Sequence, residues 1–238
     1  KTSGLDKDYA TQWSYGIAET LTLLIPNFYG GASTGELSEK SKTYEAIKRA
    51  PNAKKIIKQL PLYWGSQPIT SGPTYVGSIV VFLFVLGLFI VKGRFKYWIL
   101  FATVLSILLA WGKNFMFLTD LFLDYFPAYN KFRAVSMILV VAEFTIPLLA
   151  IMALDTALKF KKDSKLIIES KLKYSYYIVG GFCLVLALLP SLAGDFSGMQ
   201  DQTLQANGFP IDAIVEDRKT LLSLSLIHIS EPTRHESI

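Results

Sequence analysis

The stretch Ala134-Val-Ser-Met-Ile-Leu-Val-Val-Ala-Glu143-Phe-Thr-Ile-Pro147-Leu-Leu-Ala-Ile-Met-Ala-Leu154 carries one formal charge in 21 residues. As a helix rising 1.5 Å per residue it extends about 30 Å, the thickness of the hydrocarbon core of a bilayer. Three further runs share its character: Tyr75–Val91, Tyr97–Trp111 and Tyr174–Leu192 contain no Asp, Glu, Lys or Arg. Each comes near the roughly 20 apolar residues that a spanning helix needs. The expected fold is an all-α polytopic membrane protein with about four transmembrane helices and outer loops bearing short helices.

The charges between the runs orient the chain. Lys92-Gly-Arg94-Phe-Lys96 follows the first run with three cations and no acid. Between the third and fourth runs, Lys159, Lys161, Lys162, Lys165, Lys171 and Lys173 outnumber Asp163 and Glu169. Cations resist transfer across the membrane during insertion, so loops rich in them stay cytoplasmic. Residues 1–74, 112–133 and 193–223 then lie outside, around a transmembrane region over 75–192. Tyr75, Tyr97, Trp98, Trp111 and Tyr174 to Tyr177 sit near the run ends, where an interfacial aromatic belt forms. These inside loops account for much of the basic pI of 9.1. No nucleic-acid motif accompanies it, and a nucleic-acid partner is not expected.

The outer regions carry turn and cap signals. Residues 13–25 read as a short apolar helix stopped by Pro26, and Asn27-Phe-Tyr-Gly-Gly31 as a turn. Thr43–Arg49 and Pro51–Gln59 read as amphipathic helices, the second with Pro51 in its first turn. Ser71 is the expected N-cap of the first span, with Pro73 just inside it. Asp195–Thr220 is polar and acidic, which suits an outer loop leading to a further span.

The chain opens at Lys1-Thr-Ser-Gly without a methionine or a signal-like segment. At its other end, Leu224-Ser-Leu-Ile-His-Ile-Ser-Glu-Pro-Thr-Arg234 reads as the one-frame translation of a transposase-type sequencing adapter. Residues 224–238 are therefore expected to be an addition. Without them the chain loses one cation and two acids, moving from +5 to +6, and loses both histidines, His228 and His235. One cysteine remains, Cys183, inside the fourth run. A thiolate–imidazole nucleophile or a His/Cys zinc site cannot be assembled from such a set.

Several polar groups near the apolar runs carry candidate chemistry. Asp120 and Asp124, spaced i,i+4, share one helix face. The pair suits a divalent cation or a base, and equally the wet face of an interfacial helix. Tyr129-Asn130-Lys131-Phe132-Arg133 places two cations, an amide and a phenol at the outer mouth of the third span. Cations beside the positive end of a helix suit a phosphate, although ordinary interfacial anchoring uses the same residues. Glu143, about 12 Å into the third span, is costly in lipid and is expected to face a bundle interior or a watery cavity. Pro147 frees its carbonyl. Glu19 and Trp64, with Tyr63, suit weak sugar contacts by hydrogen bonding and stacking.

A set of strings in order resembles the bacterial YfhO family. They are Asp6-Lys-Asp-Tyr-Ala-Thr-Gln-Trp-Ser-Tyr-Gly16, Leu24-Ile-Pro-Asn-Phe-Tyr-Gly-Gly31, Leu60-Pro-Leu-Tyr-Trp-Gly65, Ser71-Gly-Pro-Thr-Tyr-Val-Gly77 and Pro127-Ala-Tyr-Asn-Lys-Phe-Arg-Ala-Val-Ser-Met137. The resemblance covers nearly all of residues 1–220. It implies an internal part of a longer GT-C-like membrane glycosyltransferase. Such enzymes transfer a sugar from a polyprenyl-phosphate donor to a cell-envelope glycan acceptor on the outer face of the bacterial cytoplasmic membrane. It also implies that the catalytic acid lies in an earlier outer loop, so no catalytic residue is assigned to this stretch. Lys131 and Arg133 are expected at the donor phosphate on their chemistry alone. Two other readings stay open: a transporter or flippase using Glu143, and a non-catalytic membrane scaffold. Inverted repeats would mark the transporter, and none is visible.

Overall fold

The computed structural model describes residues 6–127, 129–131, 134–159 and 165–227. Its α-helices are α1 (Lys7–Ala10), α2 (Lys42–Ile47), α3 (Ala53–Ile56), α4 (Ser78–Ile90), α5 (Phe95–Ala110), α6 (Met116–Tyr125), α7 (Leu139–Leu158), α8 (Lys165–Leu188), α9 (Asp201–Ala206) and α10 (Ile211–Ile227). Short 3-10 turns link several of them. Among the described residues the extended pairing is a single antiparallel bridge, Gly35 with Leu60. The chain divides into two units, one holding the segment up to Thr20 with Val76–Phe182, the other Leu21–Tyr75 with the chain from Cys183 onward.

The first unit is built on α7, which packs against α4 and α5. The α4 contact depends on Gly87: a Cβ there would stand 2.8 Å from Leu149 Cγ and 3.0 Å from its carbonyl oxygen. A small residue lets two apolar helices approach at backbone distance, which is how helices pack where lipid replaces water. The α5 contact carries a hydroxyl pair, Thr103 Oγ1 and Thr145 Oγ1, 2.7 Å apart and buried. Each also stands 2.8 Å from a carbonyl of its own helix, Ile99 or Val141. One proton therefore joins the helices and the other serves a carbonyl.

This unit is an apolar object wearing its hydrophobic side chains outward. The most apolar 18-residue window of Leu166–Leu188 is 17% buried, and that of Val135–Leu158 is 39% buried. Water does not tolerate a continuous apolar surface of that size on a soluble domain. The chain is an all-helical membrane protein. Those two helices are long enough to cross a bilayer, and the bent pair Phe95–Ala110 with Gly112–Tyr125 makes up to three.

The first apolar run falls short of the expected span. It forms a helix of 13 residues, because Gly77 at φ +110° holds the chain extended until Ser78 and Val91 is extended again. Ser71 and Pro73 therefore precede the helix and do not cap it. The second run ends in a break, since the chain turns by 112° after Ala110. Residues 13–25 contain a 3-10 segment at Ala18–Leu23 in place of a full helix. Pro51 lies outside α3, which starts after Asn52 in a left-handed conformation (φ 66°).

In the second unit, Leu37, Ile57, Leu60, Leu62 and Ile214 form a conventional core, with Tyr44, Leu204 and Phe209 packed on it. The segment after Leu192, read from the sequence as an outer loop, supplies α9 and α10 to this core. Asp217 of α10 caps α2 from a distance: its carboxylate accepts from Lys42 N at 3.0 Å, and from Thr43 N at 2.8 Å and Thr43 Oγ1 at 2.5 Å. Ser41 Oγ accepts from Tyr44 N at 3.1 Å, completing the start of that helix. The next residue, Arg218, has no exposed surface. Its five N–H donors are all used. Two go to the Asp201 carboxylate at 2.7 and 2.8 Å. The others go to the carbonyls of Leu62, Phe196 and Pro61 at 3.1, 2.8 and 2.8 Å. Residues 224–227, expected as part of an addition, form the last turn of α10. There Ser225 Oγ accepts from Asn27 Nδ2 at 2.9 Å.

Candidate functional site at the bend of the second apolar helix

The candidate site lies in the first unit, where the N-terminal segment meets the break after α5. Gly112 makes the turn at φ +46°, and a Cβ on it would fall 2.1 Å from Ser14 Oγ and 2.6 Å from Val135 Cγ2. No other residue type fits this backbone without moving its neighbours. Ser14 Oγ donates to Thr11 O at 2.6 Å and accepts from Lys113 N at 2.8 Å. Tyr15 N donates to Ala110 O at 2.8 Å, and Asn114 Nδ2 to Tyr15 O at 2.8 Å. Thr119 Oγ1 donates to Gly112 O, and Trp111 Nε1 to Thr20 Oγ1, both at 2.9 Å. Backbone groups freed by breaking an apolar helix are thus answered by Ser14, Tyr15 and Thr119.

From that bend α6 presents the two carboxylates foreseen as a pair, and the structure adds a partner. Lys7 Nζ stands 2.7 Å from Asp120 Oδ1 and 3.4 Å from Asp124 Oδ1. Its hydrogen bond to Asp120, with the charges of both acids, holds the Lys7 ammonium above the ordinary lysine range against some desolvation. An ammonium occupies the place suggested for a divalent cation. Among the described residues no cluster of three or more His, Cys, Asp or Glu is arranged to hold a metal ion.

The helix α1 bearing Lys7 packs beside the 3-10 turn Tyr129–Lys131. Tyr129 is buried, edge-on to Phe122 at 5.5 Å, in a cluster with Leu109, Leu123 and Val135. Burial pushes its phenol up, keeping the hydroxyl protonated at neutral pH. Lys131 is exposed at the end of the turn, and the backbone of Asn130 is its middle residue. Arg133 lies outside the described residues.

The other candidates stand apart from this cluster in character. Glu19 is 3% exposed and accepts from Gly16 N at 2.9 Å, pinning the turn that precedes its own 3-10 segment. Trp64, in the second unit, is buried between Tyr29 and Phe196 at centroid distances of 4.1 and 4.8 Å, and presents no open face for a sugar. Its Nε1 has no hydrogen-bond partner among the described residues. Glu143 lies off the face that α7 packs against α4 and α5. The inner stripe of α7 is Ala142, Thr145, Ile146, Leu149 and Ala153, and Glu143 lies off it beside exposed Val140 and Phe144. One position along a helix is a rotation of about 100°, enough to change faces.

Lys7 was missed in the sequence, where Asp6-Lys-Asp8 has no local pattern tying it to residues 113 positions away. Gly112 was visible as the one glycine between Trp111 and a basic residue, but its need for a left-handed backbone was not. No family model, curated protein or solved structure matches the chain.

Proposed function

We propose that this chain is part of a membrane glycosyltransferase of YfhO type. It would work in the bacterial cytoplasmic membrane, moving a sugar from a polyprenyl-phosphate donor to a cell-envelope glycan acceptor on the outer face. The observation that carries this reading is the packing of Lys7, with Asp120 and Asp124, beside the Tyr129–Lys131 turn at the bend before α7. Lys131 and the Lys7–Asp120–Asp124 cluster occur together at one end of the apolar helices, which suits binding of a phosphate at a membrane surface. Asp120 and Asp124 fix Lys7 in place, and Lys131 with Arg133 supplies cations to the donor. In glycosyl transfer, negative charge develops on the departing phosphate, and preset cations stabilise it more than they stabilise the ground state.

Orientation supports the same assignment. The two basic loops belong inside by the charge rule, and the four-crossing reading of the sequence then puts residues 1–74 and 112–133, with the bend, outside. The resemblance assigns proton transfer to an acid in an earlier outer loop, so the role here is phosphate binding. The transport alternative gives its role to Glu143, which lies on the exposed side of α7.

The test uses the full-length enzyme in native membranes with polyprenyl-phosphate-linked sugars extracted from the source. Lys131→Ala combined with Arg133→Ala should lower kcat/KM by about a hundredfold or more, the effect of two lost charge-assisted hydrogen bonds. Unchanged transfer by the double variant would sink the assignment.

A further inference from the structure

At the opposite, basic-loop end of the first unit a crevice of about 510 Å³ opens among the ends of α4, α5 and α8. Phe89, Lys92, Lys96, Tyr97, Ile168 and Lys171 are among its lining residues, and among the described residues no carboxylate lines it. Three ammonium groups, Lys92 exposed and Lys96 and Lys171 half-buried, converge on apolar and aromatic walls, a concentration of positive charge that attracts an anion. We propose that this crevice binds the phosphate headgroup of an anionic phospholipid from the leaflet that bears the basic loops. This site is separate from the outer cluster and does not depend on the glycosyl-transfer reading.

The lysines are held in different ways. Lys96 Nζ donates to Leu88 O at 2.7 Å, closing the carbonyl end of α4 and leaving two of its N–H donors. Lys171 Nζ lies 5.6 Å from the ring centres of both Phe89 and Tyr174, a cation–π setting that orients the side chain without consuming its donors. Lys92 is exposed in the turn made at Gly93, where φ is +98° and a Cβ would meet nothing within 4 Å. The 16-residue helix α5 begins at Phe95 beside this turn, adding its positive end. At the same level Tyr97 and Trp98 are 61% and 68% exposed, as aromatic residues at a headgroup boundary are.

The apolar walls argue for a lipid over free phosphate. Phe89, Ile90 and Ile168 line the crevice alongside the cations, so a ligand with an anionic head and hydrocarbon directly attached satisfies both surfaces. Basic pockets between membrane helices on the cytoplasmic side meet acidic headgroups in this way.

The experiment titrates the detergent-purified full chain with dioctanoyl phosphatidylglycerol, dioctanoyl phosphatidylcholine or inorganic phosphate, read by native mass spectrometry. Phosphatidylglycerol should bind at least about tenfold tighter than phosphatidylcholine. Lys92→Gln, Lys96→Gln and Lys171→Gln together should weaken it by roughly a hundredfold, from about a fivefold effect per lysine. The three Lys→Arg changes should keep binding, and guard against misfolding as the cause of loss. Equal binding of the two lipids, or full binding by a triple Gln variant of unchanged helicity, would overturn the proposal. Displacement of the lipid by an equal concentration of inorganic phosphate would also overturn it, marking a free-anion site.

Discussion

The two units bury their polar groups by opposite means. In the helices around α7 the polar groups of the interior are hydroxyls satisfied locally, glycine allows close packing, and many large apolar side chains point outward. In the unit around α10 the apolar side chains turn inward, and one full ionic pair, Arg218 with Asp201, is sealed among them. The difference is the solvent each unit is built for. Lipid gives no hydrophobic reward for packing apolar side chains together, so close backbone approach and small hydroxyl bonds hold the helices. Water rewards apolar burial, and the second unit then tolerates a buried charge because five donors and a bidentate carboxylate are matched.

The largest expected effect breaks the second unit. Arg218→Met or Asp201→Asn alone leaves the other partner buried and unmatched, at a cost of about 3–5 kcal/mol. Thermal unfolding followed by limited proteolysis of α10 measures it. The double change Arg218→Met with Asp201→Leu should recover much of the loss, because an apolar replacement of the whole pair leaves no orphan charge.

A smaller effect tests the first unit at its break. Gly112→Ala places a methyl against Ser14 and Val135 on a left-handed backbone, at a cost of about 1–3 kcal/mol. The fluorescence of Trp111 should shift as its bond to Thr20 is disturbed, and Gly72→Ala, where a Cβ meets nothing, should be silent by comparison.

The smallest effect belongs to Lys7 and shows as pH dependence. Its raised folded-state pKa means that its contribution to stability is fully present below the ordinary lysine range and is lost only as the pH rises through the raised value. Stability curves of the natural chain and Lys7→Met should therefore differ by a constant offset through neutral pH and converge in strong alkali. A difference that vanishes near neutrality would show that the pair does not form.

Much of the first unit is legible in the sequence, because charge-free runs and basic loops are local signals. Helix limits are less so: the late start at Ser78 depends on Gly77, and the break after Ala110 depends on a segment almost a hundred residues earlier. The second unit hides more. Asp212, Glu216, Asp217 and Arg218 make residues 195–220 look like a solvated loop, although Ile214 and Leu222 flank Arg218 at i−4 and i+4. A cation in the middle of an apolar stripe is itself the mark of a buried pair, and that stripe was the readable signal. In the candidate site, the i,i+4 spacing of Asp120 and Asp124 identified a real pair. Their partner, Lys7, could come only from tertiary structure.

The most direct test of the account is sidedness. Cys183 is the one cysteine and is buried, so single cysteines introduced at Glu39 and at Lys92 can be probed on intact cells with a membrane-impermeant maleimide. The account predicts that Glu39→Cys labels from outside and Lys92→Cys labels only after the membrane is opened. The reverse pattern would place the bend and its cations on the cytoplasmic face and contradict it.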